Sequence, residues 1–233
     1  MAQKVKLCGM MRTCDIDFAN EAMPDYAGFV FADTRRKVSR EQAEAFRVKL
    51  DKRICAVGVF VDEDVDVVGR LLIDGVIDIA QLHGHEDEAY IDKLRNICDS
   101  PVIKAVKATS ASDIEKAAKL PVEYLLLDTY RKGVPGGTGE RFDWDIIKEV
   151  QGIGVKESVD SEYMRLEEPV LKDKLADGIC GKPYFLAGGL NIDNVDEAIK
   201  IGAFGLDISS GIETDGYKDR DKMIEIVRRI RNV

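Results

Sequence analysis

Eight short β-rich runs recur along the chain, with starts roughly 20–30 residues apart, the period of a strand–helix unit. Helical patterns lie between them. The chain is 233 residues long, close to the roughly 250 typical of a (β/α)8 TIM barrel. Together these predict a single α/β domain of that fold over residues 1–233. Several runs are almost continuously apolar (GFVF, VGVFV, YLLLD), which suits parallel strands buried on both faces. A doubly wound open sheet is the alternative. It uses fewer strands, and the first turn here lacks a G-x-G-x-x-G.

The strands are expected at Val5–Cys8, Ala27–Phe31, Ala56–Val61, Ile77–Leu82, Val102–Ala105, Tyr124–Asp128, Tyr184–Ala187 and Gly205–Ile208. Helical patterns cover Ser39–Leu50, Asp64–Leu72, Glu86–Ile97, Ser112–Lys119, Asp143–Val150, Asn194–Ile201 and Asp219–Arg231. Ser39 reads as an N-cap with Gln42 completing a capping box. Basic residues close the last helix, where they complement its dipole.

One interval is too long. From Tyr124 to Tyr184 the spacing is about twice the usual unit. The excess predicts an insertion at about 152–182, between the sixth helix of the barrel and strand seven. One helix is expected inside it near Ser161–Leu175, broken or shifted by Pro169; a ninth strand at Gly154–Lys156 is the other reading. An αβ connection lies on the N-terminal side of a barrel, away from its chemistry, so this segment is expected to affect stability or association.

The net charge of −9 argues against nucleic acid or an anionic membrane as partner. A phosphorylated small molecule remains compatible, because a local site can be positive. Five cysteines, at 8, 14, 55, 98 and 180, are widely spaced without a C-x-x-C. They read as reduced thiols of a cytoplasmic protein, with no zinc site. The N-terminus, MAQKVKLCG, carries no long apolar stretch, and no run reaches membrane-spanning length. Oligomeric state is not readable.

Chemistry in a barrel sits at the C-terminal ends of the strands. After strand seven comes AGGLN, with Gly188 and Gly189; after strand eight comes DISSGIE, with Ser209, Ser210 and Gly211. Glycines admit backbone N–H groups to a phosphate, and these two loops form the common phosphate site of the fold. Asp128 follows LLL, where desolvation raises a carboxyl pKa and suits a general acid; capping of the next loop is the alternative. Cys8 ends strand one. Buried packing is the ordinary use of a cysteine, but a thiolate there can take a proton from carbon if neighbouring positive charge lowers its pKa. Arg36, between Arg35 and Lys37, is either a solvated charge or a bidentate partner for a substrate carboxylate. His83 either meets substrate or orients Gln81. His85 is expected to face solvent, Cys14, Cys55 and Cys98 to pack, and GVPGGTG at 133–139 to form a mobile loop over the mouth.

KLCGM, GFVF followed by RRKVS, GVFV, QLHG, LLLDT, GGTGERFDW, AGGLNIDNV and LDISSGIE together resemble the phosphoribosylanthranilate isomerase family of tryptophan biosynthesis. They span nearly the whole chain in the family's order; the segment at about 152–182 and the basic run at 35–37 depart from it. The resemblance implies an Amadori rearrangement of N-(5-phosphoribosyl)anthranilate, an aminoaldose, to 1-(2-carboxyphenylamino)-1-deoxyribulose 5-phosphate, with no cofactor or metal. It implies Asp128 as the general acid, Cys8 as the general base, Arg36 (or, less closely matched, Arg35) on the anthranilate carboxylate, and the loops at 188–189 and 209–211 on phosphate. Two competitors are open. The aminoaldose isomerase of histidine biosynthesis resembles a pair of aspartates at strands one and six, and Cys8 occupies the first place here. A barrel that only binds a phosphorylated ligand does not require both Cys8 and Asp128.

Overall fold

A computed structural model describes residues 3–128, 147, 150, 178–179 and 181–232. Eight parallel strands close into a barrel in chain order: β1 Lys4–Cys8, β2 Tyr26–Val30, β3 Cys55–Phe60, β4 Ile79–Leu82, β5 Val102–Lys107, β6 Tyr124–Asp128, β7 Tyr184–Ala187 and β8 Gly205–Ile208. Closure comes from β1 pairing with β8, with Lys6 opposite Asp207. Every expected strand is present; boundaries move by a few residues at most, chiefly at β4 and β5.

Alternation along each strand creates two cores. Val5, Leu7, Ala27, Phe29, Leu125 and Leu127 point outward to the helices in one large buried cluster. Tyr26, Val57, Ile103, Tyr124, Leu126 and Phe185 fill the barrel interior. Near the N-terminal end, Phe185 meets Tyr26 and Phe204 edge to face at 5.3 and 5.4 Å, a favoured aromatic geometry. Cys8, Val30 and Val59 form a third, smaller cluster. Each fully buried aliphatic or aromatic side chain contributes roughly 1.5–3 kcal/mol.

The helices flank the barrel. Helix α2 (Arg40–Lys49) carries the expected box: Ser39 Oγ accepts from Gln42 N, and Gln42 Oε1 accepts from Ser39 N at 2.8 Å. Asp64, Asp87, Ser110 and Asp219 cap α3 (Val65–Ile73), α4 (Glu88–Ile97), α5 (Ala111–Ala118) and the C-terminal helix Arg220–Arg231. A short helix, Val195–Ile199, follows β7. Helix α1 (Thr13–Ala22) is an addition to the expected elements. Its buried face is Asp15, Ile16, Ala19 and Ala22, too small and too polar to read as an apolar stripe.

A second addition is an antiparallel hairpin after β8, β9 (Glu213–Thr214) and β10 (Tyr217–Lys218). Its turn residues Asp215 and Gly216 have φ of 52° and 82°, the paired positive values of an Asp-Gly type I′ turn. Arg12 holds this hairpin by donating to the Lys218 carbonyl at 2.8 Å and lying 4.7 Å from the Tyr217 ring centroid.

Of the helix expected at 143–150, Ile147 and Val150 are helical and buried. The loop at 133–139, the helix at 161–175 and the strand at 154–156 fall outside the described residues. Among the described residues no helix is long and apolar enough to cross a membrane.

Candidate active site

The mouth of the barrel gathers residues that share one parity on their strands. On β1, Lys6 and Cys8 alternate with Val5 and Leu7, so both turn inward; on β6, Asp128 follows Tyr124 and Leu126 inward. Sequence alternation thus aims the thiol and the carboxyl into the same cavity from different strands.

One glycine makes room for Cys8 and a second for Arg36 beside it. A Cβ on Gly28, its β2 neighbour, would lie 2.6 Å from Cys8 Sγ. Gly9 turns the chain at φ +87°, and a Cβ there would stand 2.5 Å from Arg36 Cδ. The Arg36 side chain therefore lies across the backbone beside Cys8. The thiol is 7% exposed. Burial pushes its pKa up, Lys6 pulls it down, Asp207 adds to the rise and Lys218 opposes it; the outcome stays above the ordinary value. The positive charge on which a lowered pKa depended is present near Cys8, but desolvation outweighs it, so that condition is not met in the free protein.

Arg36 meets an internal carboxylate. Its Nε donates to Glu213 Oε1 at 2.8 Å and its Nη2 to Oε2 at 3.1 Å. Glu213 also accepts from Arg35 and from Lys218 Nζ at 2.9 Å. Burial alone would raise the Glu213 pKa, but Arg36, Lys218 and Arg35 bring it down to about 2. Three cations around one carboxylate leave a net positive patch in an acidic protein. Arg36 spends two of its five N–H donors on Glu213, which leaves the others for a second carboxylate. Arg35 is turned to the hairpin, donating to the Gly216 carbonyl at 2.6 Å.

Lys218 is almost fully buried, and its Nζ also donates to the Ser209 carbonyl at 2.9 Å. Glu213 and Lys218 both ride on the hairpin and were not among the residues singled out from sequence. The Asp-Gly step in ETDGYK was the available signal. Lys6 and Asp207 were also missed. They form an ion pair at 2.8 Å inside the barrel, with Lys6 fully buried. Alternation from Cys8 back to Lys6 would have found the first.

His83 Nε2 stands 3.7 Å from Asp128 Oδ2, while its Nδ1 faces Gln81 Nε2 at 3.3 Å. Gln81 thus holds one ring nitrogen of His83 while the other faces Asp128. His85 faces solvent, as expected, and pairs with Asp62 at 2.9 Å. Cys55 and Cys98 pack against the cores. Cys14 is half-buried.

The loops after β7 and β8 converge. Gly188 and Gly189 have φ of 100° and 67°. Asn191 and Asn194 amides donate to the Gly189 carbonyl at 3.3 and 3.1 Å. Asn191 bridges to Gly211, where a Cβ would fall 1.9 Å from the Leu190 carbonyl oxygen. Only glycine permits that approach. Ser209 spends its hydroxyl proton on the Cys8 carbonyl at 3.1 Å, so it would meet an anion through its backbone N–H. Ser210 is exposed.

A closed eight-stranded parallel barrel, with ionisable groups and glycine-rich turns collected at the C-terminal ends of its strands, belongs to the class of (β/α)8-barrel proteins whose ligands bind at that rim. A family model described as N-(5'phosphoribosyl)anthranilate (PRA) isomerase matches residues 5–158 and 159–229. The break between the two matched stretches falls within the expected insertion. N-(5'-phosphoribosyl)anthranilate isomerase of Endomicrobium trichonymphae is 40% identical over 231 residues, covering 99% of each chain. That of Clostridium acetobutylicum is 40% identical over 229 residues, covering 98% of each. The crystal structure of the Thermotoga maritima phosphoribosyl anthranilate isomerase superposes with a TM-score of 0.77 at 29% identity, covering 99% of this chain and 100% of that one. A phosphoribosyl anthranilate isomerase solved with reduced 1-(o-carboxyphenylamino)-1-deoxyribulose 5-phosphate gives 0.74 at 28% identity, with the same coverage. The chain belongs to the PRA isomerase family.

Proposed function

We propose that this chain isomerises N-(5-phosphoribosyl)anthranilate to 1-(2-carboxyphenylamino)-1-deoxyribulose 5-phosphate, the Amadori step of tryptophan biosynthesis. The observation that carries the residue assignments is the shared inward parity of Cys8 and Asp128 at the ends of β1 and β6, in a chain of this family.

Asp128, as the carboxylic acid, gives its proton to the ribose ring oxygen. The C1–O bond breaks, and the anilino nitrogen lone pair completes a protonated Schiff base. Cys8, as thiolate, removes the C2 proton. The C2–H electron pair becomes the C1–C2 double bond, and the C–N π electrons return to nitrogen. The enolamine then gains a proton at C1 and loses one from the C2 hydroxyl, leaving the ketone. No net proton is consumed, and exchange with solvent restores the acid and the thiolate. Each group contributes on the scale of general acid–base catalysis, roughly 10²–10⁴-fold.

The substrate is anionic at both ends. Arg36 faces its carboxylate, and the turns at 188–189 and 209–211 face its phosphate. Fixing both ends holds C1 and C2 between the two proton-transfer groups. His83, held by Gln81, borders Asp128 and helps to keep it oriented.

The test follows consumption of phosphoribosylanthranilate by fluorescence. The wild-type chain turns over, while Cys8→Ser and Asp128→Asn each lose roughly 10²-fold or more in kcat with KM little changed. Turnover of Cys8→Ala at the wild-type rate sinks the base assignment, and an inactive wild-type chain sinks the reading as a whole.

A further inference from the structure

The proposed chemistry leaves an ion pair inside the barrel, Lys6 with Asp207, without a task. Lys6 is fully buried in the barrel interior, where its ammonium meets Asp207 Oδ1 at 2.8 Å. The two residues occupy paired positions on β1 and β8, the strands that close the barrel. Desolvating such a pair usually costs as much as its attraction returns, and an apolar pair of equal volume commonly serves stability as well. A charge kept inside this barrel therefore calls for a use.

Its position supplies one. Lys6 is two residues before Cys8 on the same inward parity, so its stem enters the barrel one layer beneath the thiol and its ammonium interacts with Cys8. Asp207 fixes Lys6 from the neighbouring strand, and Ser209, two residues further along the chain, fixes the Cys8 carbonyl at 3.1 Å. One strand end thus holds both members in register.

The other groups around Cys8 do not duplicate this charge. From β2 and β3 come Gly28, Val30 and Val59, which carry none. Asp207 on β8 is anionic. Lys218 from the hairpin is divided between the Ser209 carbonyl and Glu213, and Arg36 beyond Gly9 is held by Glu213. Asp128 and His83 belong to β6 and the end of β4. Of the two lysines on the thiol's own strand, Lys4 is held by Asp25 at the far end, whereas the influence of Lys6 on Cys8 exceeds that of Asp207 or Lys218.

We propose that Lys6, held in place by Asp207, is the positioning residue that stabilises the Cys8 thiolate when the general base ionises to take the C2 proton. This deepens the proposed function and rests on Cys8 being that base. Lys6 stays an ammonium throughout and transfers no proton. Asp207 and Cys8 more than offset the burial that disfavours its charge.

The experiment titrates Cys8 by NMR in protein isotope-labelled at cysteine Cβ, the Cys8 signal being assigned by its loss in Cys8→Ser. It compares wild type, Lys6→Met and the double variant Lys6→Met/Asp207→Asn, which leaves no lone buried carboxylate should the single variant fail to fold. The expected result is a Cys8 titration midpoint at least about one pH unit higher in the Lys6 variants. The corresponding fall in kcat at pH 7 is about tenfold, with KM within about twofold. An unmoved midpoint in a folded variant overturns the inference. A moved midpoint with unchanged kcat supports the role of Lys6 towards the thiol and removes Cys8 as base, so the two readings fail separately.

Discussion

Glu213 grips Arg36 through both carboxylate oxygens, Nε to Oε1 at 2.8 Å and Nη2 to Oε2 at 3.1 Å. The loop after β2 and the hairpin after β8 are thereby joined across the first strand, above Gly9. A guanidinium clamped on one edge keeps its remaining donors pointed in one direction, which lowers the entropy lost when it takes a second carboxylate.

Removing that clamp is expected to weaken substrate binding more than turnover. Glu213→Gln keeps the shape but ends the charge-assisted pair, and KM should rise about tenfold, the scale of one lost charged hydrogen bond, with kcat within about threefold. Steady-state kinetics decide it. An unchanged KM would mean that packing over Gly9 is enough to place Arg36.

Glu213 also fixes an acid dependence. Its folded pKa of about 2 lies below the ordinary 4.5, so its stabilising effect is present above pH 4.5 and lost as pH falls through about 2. The gap in Tm between wild type and Glu213→Gln should be widest above pH 5 and shrink towards pH 2. A gap that stays constant over that range contradicts the ionic account.

Gly28 is required by the thiol. A methyl there would sit 2.6 Å from Cys8 Sγ and 3.0 Å from Cys8 Cα. Gly28→Ala should cost about 1–3 kcal/mol by overpacking and lower kcat at least about tenfold through displacement of the proposed base. Denaturant unfolding and kcat measured together check both parts; normal turnover would show that the strand end absorbs the methyl without moving the thiol.

Ser39→Ala supplies a contrast. It deletes the N-cap of α2 and should cost about 1 kcal/mol, read from the urea midpoint, with kcat unaltered. A fall in kcat would mean that the cap also holds the loop carrying Arg36.

How much was legible in the sequence follows from which interactions are local. Strand and helix periodicity, the capping box of Ser39 and Gln42, and the placing of Cys8 and Asp128 at strand ends are short-range properties of the chain, and each is read directly from residue spacing. Quoted together, the motifs also carried the family resemblance. Helix α1 was less visible because its buried face carries one large apolar residue, Ile16, among Asp15 and two alanines.

Charge placement was decided by tertiary structure alone. Glu213 and Lys218 stand 177 and 182 positions beyond Arg36 in the sequence, yet they share one cluster because closure of β1 on β8 brings the last loop over the first. Lys6 and Asp207, 201 residues apart, meet for the same reason. Whether a thiol beside lysines is acidic depends on how burial and those charges compare, and burial prevails at Cys8. The sequence by itself determined a barrel of this family and the residue types at its rim. Only the closed barrel decided which charges face which, because electrostatic neighbours are set by distance in space, and strand pairing makes the two ends of the chain adjacent.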